Sequence, residues 1–255
     1  MSSIDNIIAS FNPISLKEMD SVALMNRTDT KYLIPIKVAE AVLEEMSKSY
    51  RVLQIGEKRA FQYRTIYFDT IDKNLLYEHL RGKLNRVKVR AREYVGSATR
   101  FFEVKLKTNK GKTVKKRIPK SENLNGIQEN EATFLSSVSK LNGVDLFPVI
   151  EIDFKRITLV NLELKERITF DFRLTFSEPG GEKVIEDLVI VELKRDSVSD
   201  GKSPATVALK HNSSYPLSMS KYCLGMILMD ETNRYNKYKP KLLKLNKLST
   251  HGDIW

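Results

Sequence analysis

The sequence predicts an α+β fold in which an antiparallel, closed β-barrel of about eight strands forms a charged tunnel, with helices packed outside it. Two observations predict this class. Apolar and ionisable residues alternate with a period of two over much of the chain, which is typical of strands. Helical patterns are few and short by comparison. The ionisable faces of these strands are mostly cationic, and that bias favours a tunnel over an open sheet.

The helical segments are identified by apolar spacing and by their boundaries. Pro35 begins a helix that runs through KVAEAVLEEMSKSY, in which Val38, Val42 and Met46 lie on one face. Shorter helices are predicted for Asn74–Leu80 and Glu129–Leu141, and a buried helix for Ser220–Asp230. The basic tail from about Tyr235 is expected to form a loose helix or arm.

The strands carry the functional information, because successive side chains on a strand point to opposite faces. In NRVKVRARE, four cations share one face, and Val87, Val89 and Ala91 share the other. The ionisable faces predicted in this way are Arg27, Asp29 and Lys31; Arg86, Lys88, Arg90 and Arg92; Glu103, Lys105 and Lys107; Lys115 and Arg117; Arg167, Thr169, Asp171 and Arg173; and Glu192 and Lys194.

A polar face in water is the ordinary state of one antiparallel sheet, and it is the simplest explanation for any single strand. The set as a whole favours another explanation. A solvated face usually mixes charges of both signs, and the row Arg86, Lys88, Arg90 and Arg92 is self-repelling unless an anion lies among its members. We therefore expect the charged faces to line the inside of a barrel.

The composition agrees with an anionic partner. The 255 residues include 43 Lys plus Arg and 32 Asp plus Glu, a formal charge of +11, and 41% are apolar. This excess favours nucleic acid, a membrane surface or a phosphorylated small molecule as ligand. One cysteine, Cys223, permits no internal disulfide, and neither a signal peptide nor a membrane span is evident. We expect a single domain over residues 1–255 and a cytoplasmic location.

The residue types of the predicted tunnel suit phosphate chemistry. Arg and Lys arrays neutralise phosphate oxygens. The few carboxylates, Glu103, Asp171 and Glu192, match the one or two that Mg²⁺ uses together with substrate phosphates. No P-loop or Rossmann motif is present, and the three scattered histidines, His79, His211 and His251, are expected to be non-catalytic.

Nine short motifs, in order, resemble the VTC domain, the polyphosphate polymerase domain of the vacuolar transporter chaperone family within the triphosphate tunnel metalloenzymes. They are RTDTKY, YFDT, VKVRAREY, FEVKLK, VKKR, FKRIT, RITFD, VELK and SMSKY, and they extend from about Arg27 to about Gly225. The resemblance implies an antiparallel tunnel barrel, a triphosphate substrate, and Mn²⁺ or Mg²⁺. It implies an enzyme that transfers the γ-phosphate of ATP to a growing polyphosphate chain.

The resemblance also implies roles for individual residues. The matching catalytic cations are Lys31, Arg90, Arg92, Lys105, Lys115, Arg156, Arg167 and Lys221. Further substrate contacts are expected from Arg27, Lys88, Lys107, Arg117, Lys194 and Ser220. Glu192 matches the metal-binding glutamate, and Glu103 is expected to assist it.

Three other functions remain open at this point. A hydrolase of the same fold would cleave a triphosphate with water activated by Glu103 or Asp171. A non-catalytic module would only bind polyphosphate. A nucleic-acid binder would need stacking aromatics among exposed cations, whereas Phe102, Phe170 and Phe172 alternate away from them. The expected partners are ATP or another triphosphate and a polyphosphate chain, with no nucleic acid; since the vacuolar proteins carry membrane helices, a membrane-protein partner is also compatible.

Overall fold

The computed structural model describes residues 2–20, 27–121, 123–196, 202–233, 235–250, 252 and 254. Its helices are α1 (Ser2–Ala9), α2 (Leu16–Asp20), α3 (Ile36–Met46), α4 (Asn74–Arg81), α5 (Glu129–Val138), α6 (Pro204–His211), α7 (Lys221–Met229) and α8 (Lys239–Leu248). Its strands are β1 (Asn12–Ile14), β2 (Arg27–Pro35), β3 (Arg51–Leu53), β4 (Ala60–Asp69), β5 (Arg86–Tyr94), β6 (Thr99–Lys107), β7 (Thr113–Pro119), β8 (Phe147–Asn161), β9 (Glu166–Glu178), β10 (Gly181–Ile185) and β11 (Leu188–Asp196).

The strands form one large antiparallel sheet, which confirms the α+β class. Its main path runs β2-β11-β9-β8-β4-β5-β6-β7. Strand β10 pairs with β9 in an antiparallel hairpin, and β3 pairs with β8 and, in parallel, with the short strand β1. Pairing of β2 with β7 is not seen in the described part of the chain, so the sheet is not shown to be closed. Beside β2, the Leu217 amide donates to the Lys31 carbonyl at 2.7 Å, and Tyr32 forms a bridge with Pro216.

The outer face of the sheet is apolar and covered by helices, as the alternation predicts. Val87, Val89 and Ala91 pack in one core with Leu135 of α5. A second core joins β9 and β11 to α1, α3 and α6, with members such as Phe170. Since these faces are apolar and buried, the alternating residues of the same strands face the inside of the curved sheet.

Helix α7 packs on the inner face at one end of the sheet, together with α4 and α8. The approach is close at Gly225, where an added Cβ would lie 2.5 Å from Phe176 and 2.6 Å from Ile150. No side chain larger than hydrogen fits here without displacement. The inner face is therefore apolar beneath α7 and ionisable beyond it.

A β-bulge in β9 contradicts one part of the predicted pattern. Arg173 and Leu174 together oppose the single residue Phe154, and Arg173 has a positive φ of 50°. The extra residue switches the faces, so that Phe172 packs outside and Leu174 inside. The prediction that Arg173 shares the charged face of Asp171 is wrong: Arg173 is exposed.

The helices follow the predictions, with one correction. The segments predicted around α3, α4, α5 and α7 are helical, although α5 ends at Val138. The tail forms a helix, α8, but it is not loose, because Leu242 and Leu245 are fully buried in the core that contains α7. None of the helices in the described ranges is long and apolar enough to cross a membrane.

Candidate functional site

A cavity of about 520 Å³ lies on the inner face, and its walls come from both ends of the sheet path. Asp29 and Lys31 of β2 line one side, and Lys105 of β6 and Thr113 of β7 line another. The sheet is therefore curved enough for its two end strands to share one cavity. The other lining residues are Thr30, His79, Arg86, Lys88, Lys107, Glu192, Pro216, Ser218, Met219, Ser220, Cys223, Tyr238 and Lys241.

Three lysines form a row across neighbouring strands. Lys105 lies directly opposite Lys88 on β5 and directly opposite Lys115 on β7. Like charges in such positions repel each other, and no carboxylate lies within ion-pair distance of Lys88 or Lys105 among the described side chains. Arg90 and burial lower the pKa of Lys105 well below its ordinary value. The row is a place where an anion would be stabilised.

Glu103 is held between two cations. Its carboxylate is fully buried, Arg90 contacts Oε2 at 2.6 Å through Nη2, and Lys115 contacts Oε1. Arg90 also donates to the Tyr67 hydroxyl at 3.1 Å. Burial alone would raise the pKa of Glu103, but Arg90, Arg92 and Lys115 lower it below its ordinary value. Both carboxylate oxygens of Glu103 are therefore in contact with cations, and its role as a second metal ligand stays a prediction.

Asp171 is held in the same manner. Arg156 binds it with two hydrogen bonds, Nε to Oδ1 at 2.6 Å and Nη2 to Oδ2 at 2.7 Å, and Lys221 also contacts Oδ2. Burial would raise the pKa of Asp171, but these two cations lower it to about 2. The carboxylate therefore stays ionised and fixes Arg156 and Lys221 in place.

Glu192 differs from the other two carboxylates, because it lines the cavity. Lys194 contacts its Oε2, and Lys31 Nζ lies 3.6 Å from its Oε1. Burial would raise the pKa of Glu192, but Lys194 and Lys31 lower it well below its ordinary value. Asp29 lines the same cavity from the neighbouring strand.

An aromatic pair, which the sequence reasoning missed, supports the arginines. The rings of Tyr63 and Phe154 are stacked at 5.3 Å. The guanidinium of Arg92 lies 5.6 Å and 5.9 Å from these rings, and that of Arg156 lies 4.9 Å and 5.2 Å away. Arg92 also donates to Thr65 Oγ1 at 3.1 Å, and it has no carboxylate partner in the part of the chain described. Alternation of aromatic and polar residues on β4 was the available signal.

Other predicted residues lie at the edges of the site, away from it or outside the described residues. Lys88 donates to Ser220 Oγ at 2.8 Å, and Ser220 caps α7. Lys107 donates to a carbonyl of its own hairpin, and Arg117 is exposed with its guanidinium 4.2 Å from the Phe101 ring. Arg167 lies away from the cavity and donates to the Met19 carbonyl at 3.4 Å. The side chain of Arg27 lies outside the described residues, as does His251.

His79 and His211 have structural surroundings. Nε2 of His79 donates to the Val87 carbonyl at 2.9 Å, and Nδ1 accepts from Arg86 Nε at 2.9 Å. Burial and the charge of Lys88 lower the pKa of His79 to about 3, so this ring is neutral. His211 is exposed beside Glu45, at 3.0 Å.

The donor set fits a divalent cation only in part. No group of three or more His, Cys, Asp or Glu side chains is suitably clustered in the described ranges. Mg²⁺ commonly uses one or two carboxylates and takes its other ligands from substrate phosphates and water. Glu192, with Asp29 beside it, meets this smaller requirement at the cavity wall, although Lys194 and Lys31 also contact it. Glu103 and Asp171 do not line the cavity.

Comparison with known proteins gives one family and several similar folds. The family model described as "VTC domain" matches residues 26–230. No curated protein matches the chain. A candidate adenylate cyclase from Bacillus halodurans has a TM-score of 0.48 and 17% identity, covering 77% of this chain and 96% of that one. A candidate adenylate cyclase from Vibrio parahaemolyticus has a TM-score of 0.46 and 14% identity, covering 78% and 97%. A candidate adenylyl cyclase from Hippeastrum, described as having a dominant triphosphatase activity, has a TM-score of 0.49 and 12% identity, covering 79% and 95%.

Proposed function

The chain belongs to the VTC-domain family, and from this premise we propose that it is a polyphosphate polymerase that transfers the γ-phosphate of ATP to a growing polyphosphate chain. In this proposal the curved sheet closes into a tunnel around the substrate, and residues 1–255 act as one domain. The ionised phosphate chain is both ligand and nucleophile.

The observation that carries the proposal is the unbalanced charge on the inner face. Each of the three carboxylates, Glu103, Asp171 and Glu192, is already held by two cations. Lys88, Arg92 and Lys105 lie among these pairs with no carboxylate partner in the described part of the chain. Arg92 is buried and the two lysines are half-buried. Cations removed from water without counter-charges are costly, and a phosphate polyanion would reduce that cost. This supports a ligand with several negative charges.

The arginines suit the transfer itself. In phosphoryl transfer, charge spreads over the oxygens of the moving group, and fixed cations lower the barrier by stabilising it. Arg90 and Arg156 are fixed by their carboxylate partners, and Arg92 by Thr65 and the aromatic rings. Such side chains need little reorganisation when the bond breaks. The attacking oxygen of a terminal phosphate is already ionised, so no general base is required.

Glu192 is the residue that fits a divalent cation, since it faces the cavity and has Asp29 beside it. A Mg²⁺ or Mn²⁺ ion held there would offset negative charge on the phosphates of the triphosphate. The protein's own contribution is to hold this carboxylate ionised, which Lys31 and Lys194 do by lowering its pKa.

Hydrolysis is less well supported than polymerisation. A hydrolase must activate water, and a general base needs a free oxygen and a pKa near the working pH. Glu103 and Asp171, the two carboxylates proposed for that task, have their oxygens engaged by cations, and the pKa of Asp171 is about 2. Neither is poised to accept a proton from water.

Nucleic-acid binding is also poorly supported, although aromatics do lie among the cations. Tyr63 and Phe154 are 8% and 1% exposed, so no base can stack on them. The unpaired cations lie on the concave side of the sheet. A narrow phosphate chain suits that position better than a duplex or a stacked single strand.

The test is an assay with ATP and Mn²⁺ that separates ADP, free phosphate and long phosphate chains. We expect ADP and chains to appear together. Arg156→Gln should abolish turnover, whereas Arg173→Gln, which removes an exposed arginine after the bulge, should retain it. Free phosphate without chains would establish a triphosphatase instead. Binding of polyphosphate without any turnover would establish a binding module.

A further inference from the structure

Helix α8 lies beyond the region that defines the family, yet it contributes to the site. The family match ends at residue 230, and α8 spans Lys239–Leu248. Tyr238, which directly precedes this helix, and Lys241 nevertheless line the same cavity as Lys31 and Lys105. The cavity wall therefore includes residues that the family match does not cover.

Helix α8 is fixed against the family domain. Leu242 and Leu245 are fully buried, in the core that also contains α7. The Tyr238 hydroxyl accepts a hydrogen bond from the Ser220 amide at 2.8 Å and donates to the Ser220 carbonyl at 3.2 Å. Because Ser220 also caps α7, Tyr238 ties the two helices together beside the cavity.

Lys241 has the same unbalanced charge as the cations on the strands. Its Nζ lies 4.5 Å from the centre of the Tyr238 ring, a cation–π contact that directs the side chain along the wall. No carboxylate lies within ion-pair distance of it among the residues described. Burial and the nearby charge of Lys31 lower the pKa of Lys241. Lys241 is thus held on the same cavity wall as other cations, without a carboxylate partner among the described residues, and it is placed for an anionic ligand.

We infer that Lys241 binds a phosphate group of the ligand at the cavity wall. This inference rests on the proposed function, because it requires that the cavity takes a phosphate polyanion. It extends the binding site from the family domain into α8.

The test compares binding of inorganic tripolyphosphate by the full chain and three variants, using calorimetry at several salt concentrations. Lys241→Gln removes the charge, and Lys241→Arg retains it. Lys244→Gln is the matched control, since Lys244 is an exposed lysine on the same helix that does not line the cavity. Thermal denaturation of each variant without ligand confirms that it is folded.

We expect Lys241→Gln to weaken binding about tenfold, as for loss of one charge-assisted hydrogen bond. The slope of log affinity against log salt should decrease in magnitude by somewhat less than one, because one cation fewer displaces counterions. Lys241→Arg should restore most of the affinity, and Lys244→Gln should change it less than twofold. If Lys241→Gln and Lys244→Gln bind alike while the wild type binds tightly, the inference is wrong and the proposed function stands. If the wild type binds no tripolyphosphate or polyphosphate, both are wrong.

Discussion

Replacing Lys105 with methionine should stabilise the protein without ligand and impair its binding of polyphosphate. Lys105 lies between Lys88 and Lys115 in the row across β5, β6 and β7. Of these three lysines, only Lys115 has a carboxylate partner among the described residues, Glu103. Methionine keeps most of the volume and removes the charge. The ligand-free protein then loses a repulsion, and the ligand loses a contact.

The size of the effect follows from the register. Directly opposite residues have Cβ atoms about 5 Å apart, and flexible lysine side chains can separate their charges to about 7 Å. With an effective dielectric constant of about 20, this separation gives a repulsion of about 2 kcal/mol per pair. The low pKa of Lys105 reduces the repulsion, since the amine sheds its proton when crowded. A gain of about 1–2 kcal/mol corresponds to a Tm higher by about 2–8 °C for a chain of this size.

Thermal denaturation with and without polyphosphate measures both effects. Ligand at about 100 times Kd stabilises the wild type by about 2.7 kcal/mol. Loss of a contact worth about 1.5–3 kcal/mol should reduce the ligand-induced shift in Tm to about half or less. Lys116→Met is the matched control, because Lys116 lies opposite Val104 on the outer face. A lower Tm for ligand-free Lys105→Met, combined with a full ligand-induced shift, would show that Lys105 neither repels its neighbours nor contacts the ligand.

Three other predictions follow from the site and from α7. Glu192→Gln should reduce turnover steeply, and raised Mn²⁺ should restore part of it; a Mn²⁺ titration of turnover measures both effects. Without metal, the variant should bind polyphosphate at least as well as the wild type, since a negative charge has left the cavity. Gly225→Ala should lower the free energy of unfolding by about 1–3 kcal/mol, because its Cβ would overlap Phe176, and thermal denaturation measures the loss. Polyphosphate affinity should fall as the pH rises from 7 to 9, because burial lowers the pKa of Lys115 to about 8 and its positive charge disappears above that pH; calorimetry measures the change.

A specific experimental result would contradict each of these three predictions. Normal turnover of Glu192→Gln with an unshifted Mn²⁺ titration would remove Glu192 from the reaction. For the second, Gly96→Ala is the control, since an added Cβ meets nothing within 4 Å there, and equal stability of the two variants would contradict the close approach of α7. For the third, Lys115→Arg should shift the fall to higher pH. A fall that persists in that variant would instead be due to Tyr67, whose pKa Arg90, Arg92 and Lys88 lower to about 8 against the effect of burial.

The sequence was sufficient to predict the charged face of strands that run without a bulge, such as β5. Side chains alternate on every strand, so the pattern around Arg90 needs no knowledge of its neighbours. Helix α7, at the end of the region that matches the family, was equally predictable, since its apolar residues follow a capping serine, Ser220. These features depend on local spacing alone.

The rest of the site depends on register and packing, which local spacing does not determine. That Glu103 is shared by Arg90 and Lys115 follows from pairing across three strands. The outward turn of Arg173 results from a bulge that the alternating sequence does not reveal. The anchoring of α8 depends on packing of its two buried leucines in the core that contains α7, although the basic composition of the tail suggested a loose helix or arm.

The pairing of β2 has a consequence for the order of folding. Strand β2 is bonded along its length to β11, where Lys31 lies opposite Glu192, about 160 residues later in the chain. By contrast, β4, β5, β6 and β7 are neighbours in chain order and can assemble locally. During synthesis β2 must therefore wait, unpaired along its length, until β11 emerges. The contact between Lys31 and Glu192 is formed after β4–β7 can assemble, so a nascent chain carries Arg90, Arg92 and Lys105 well before it acquires Glu192.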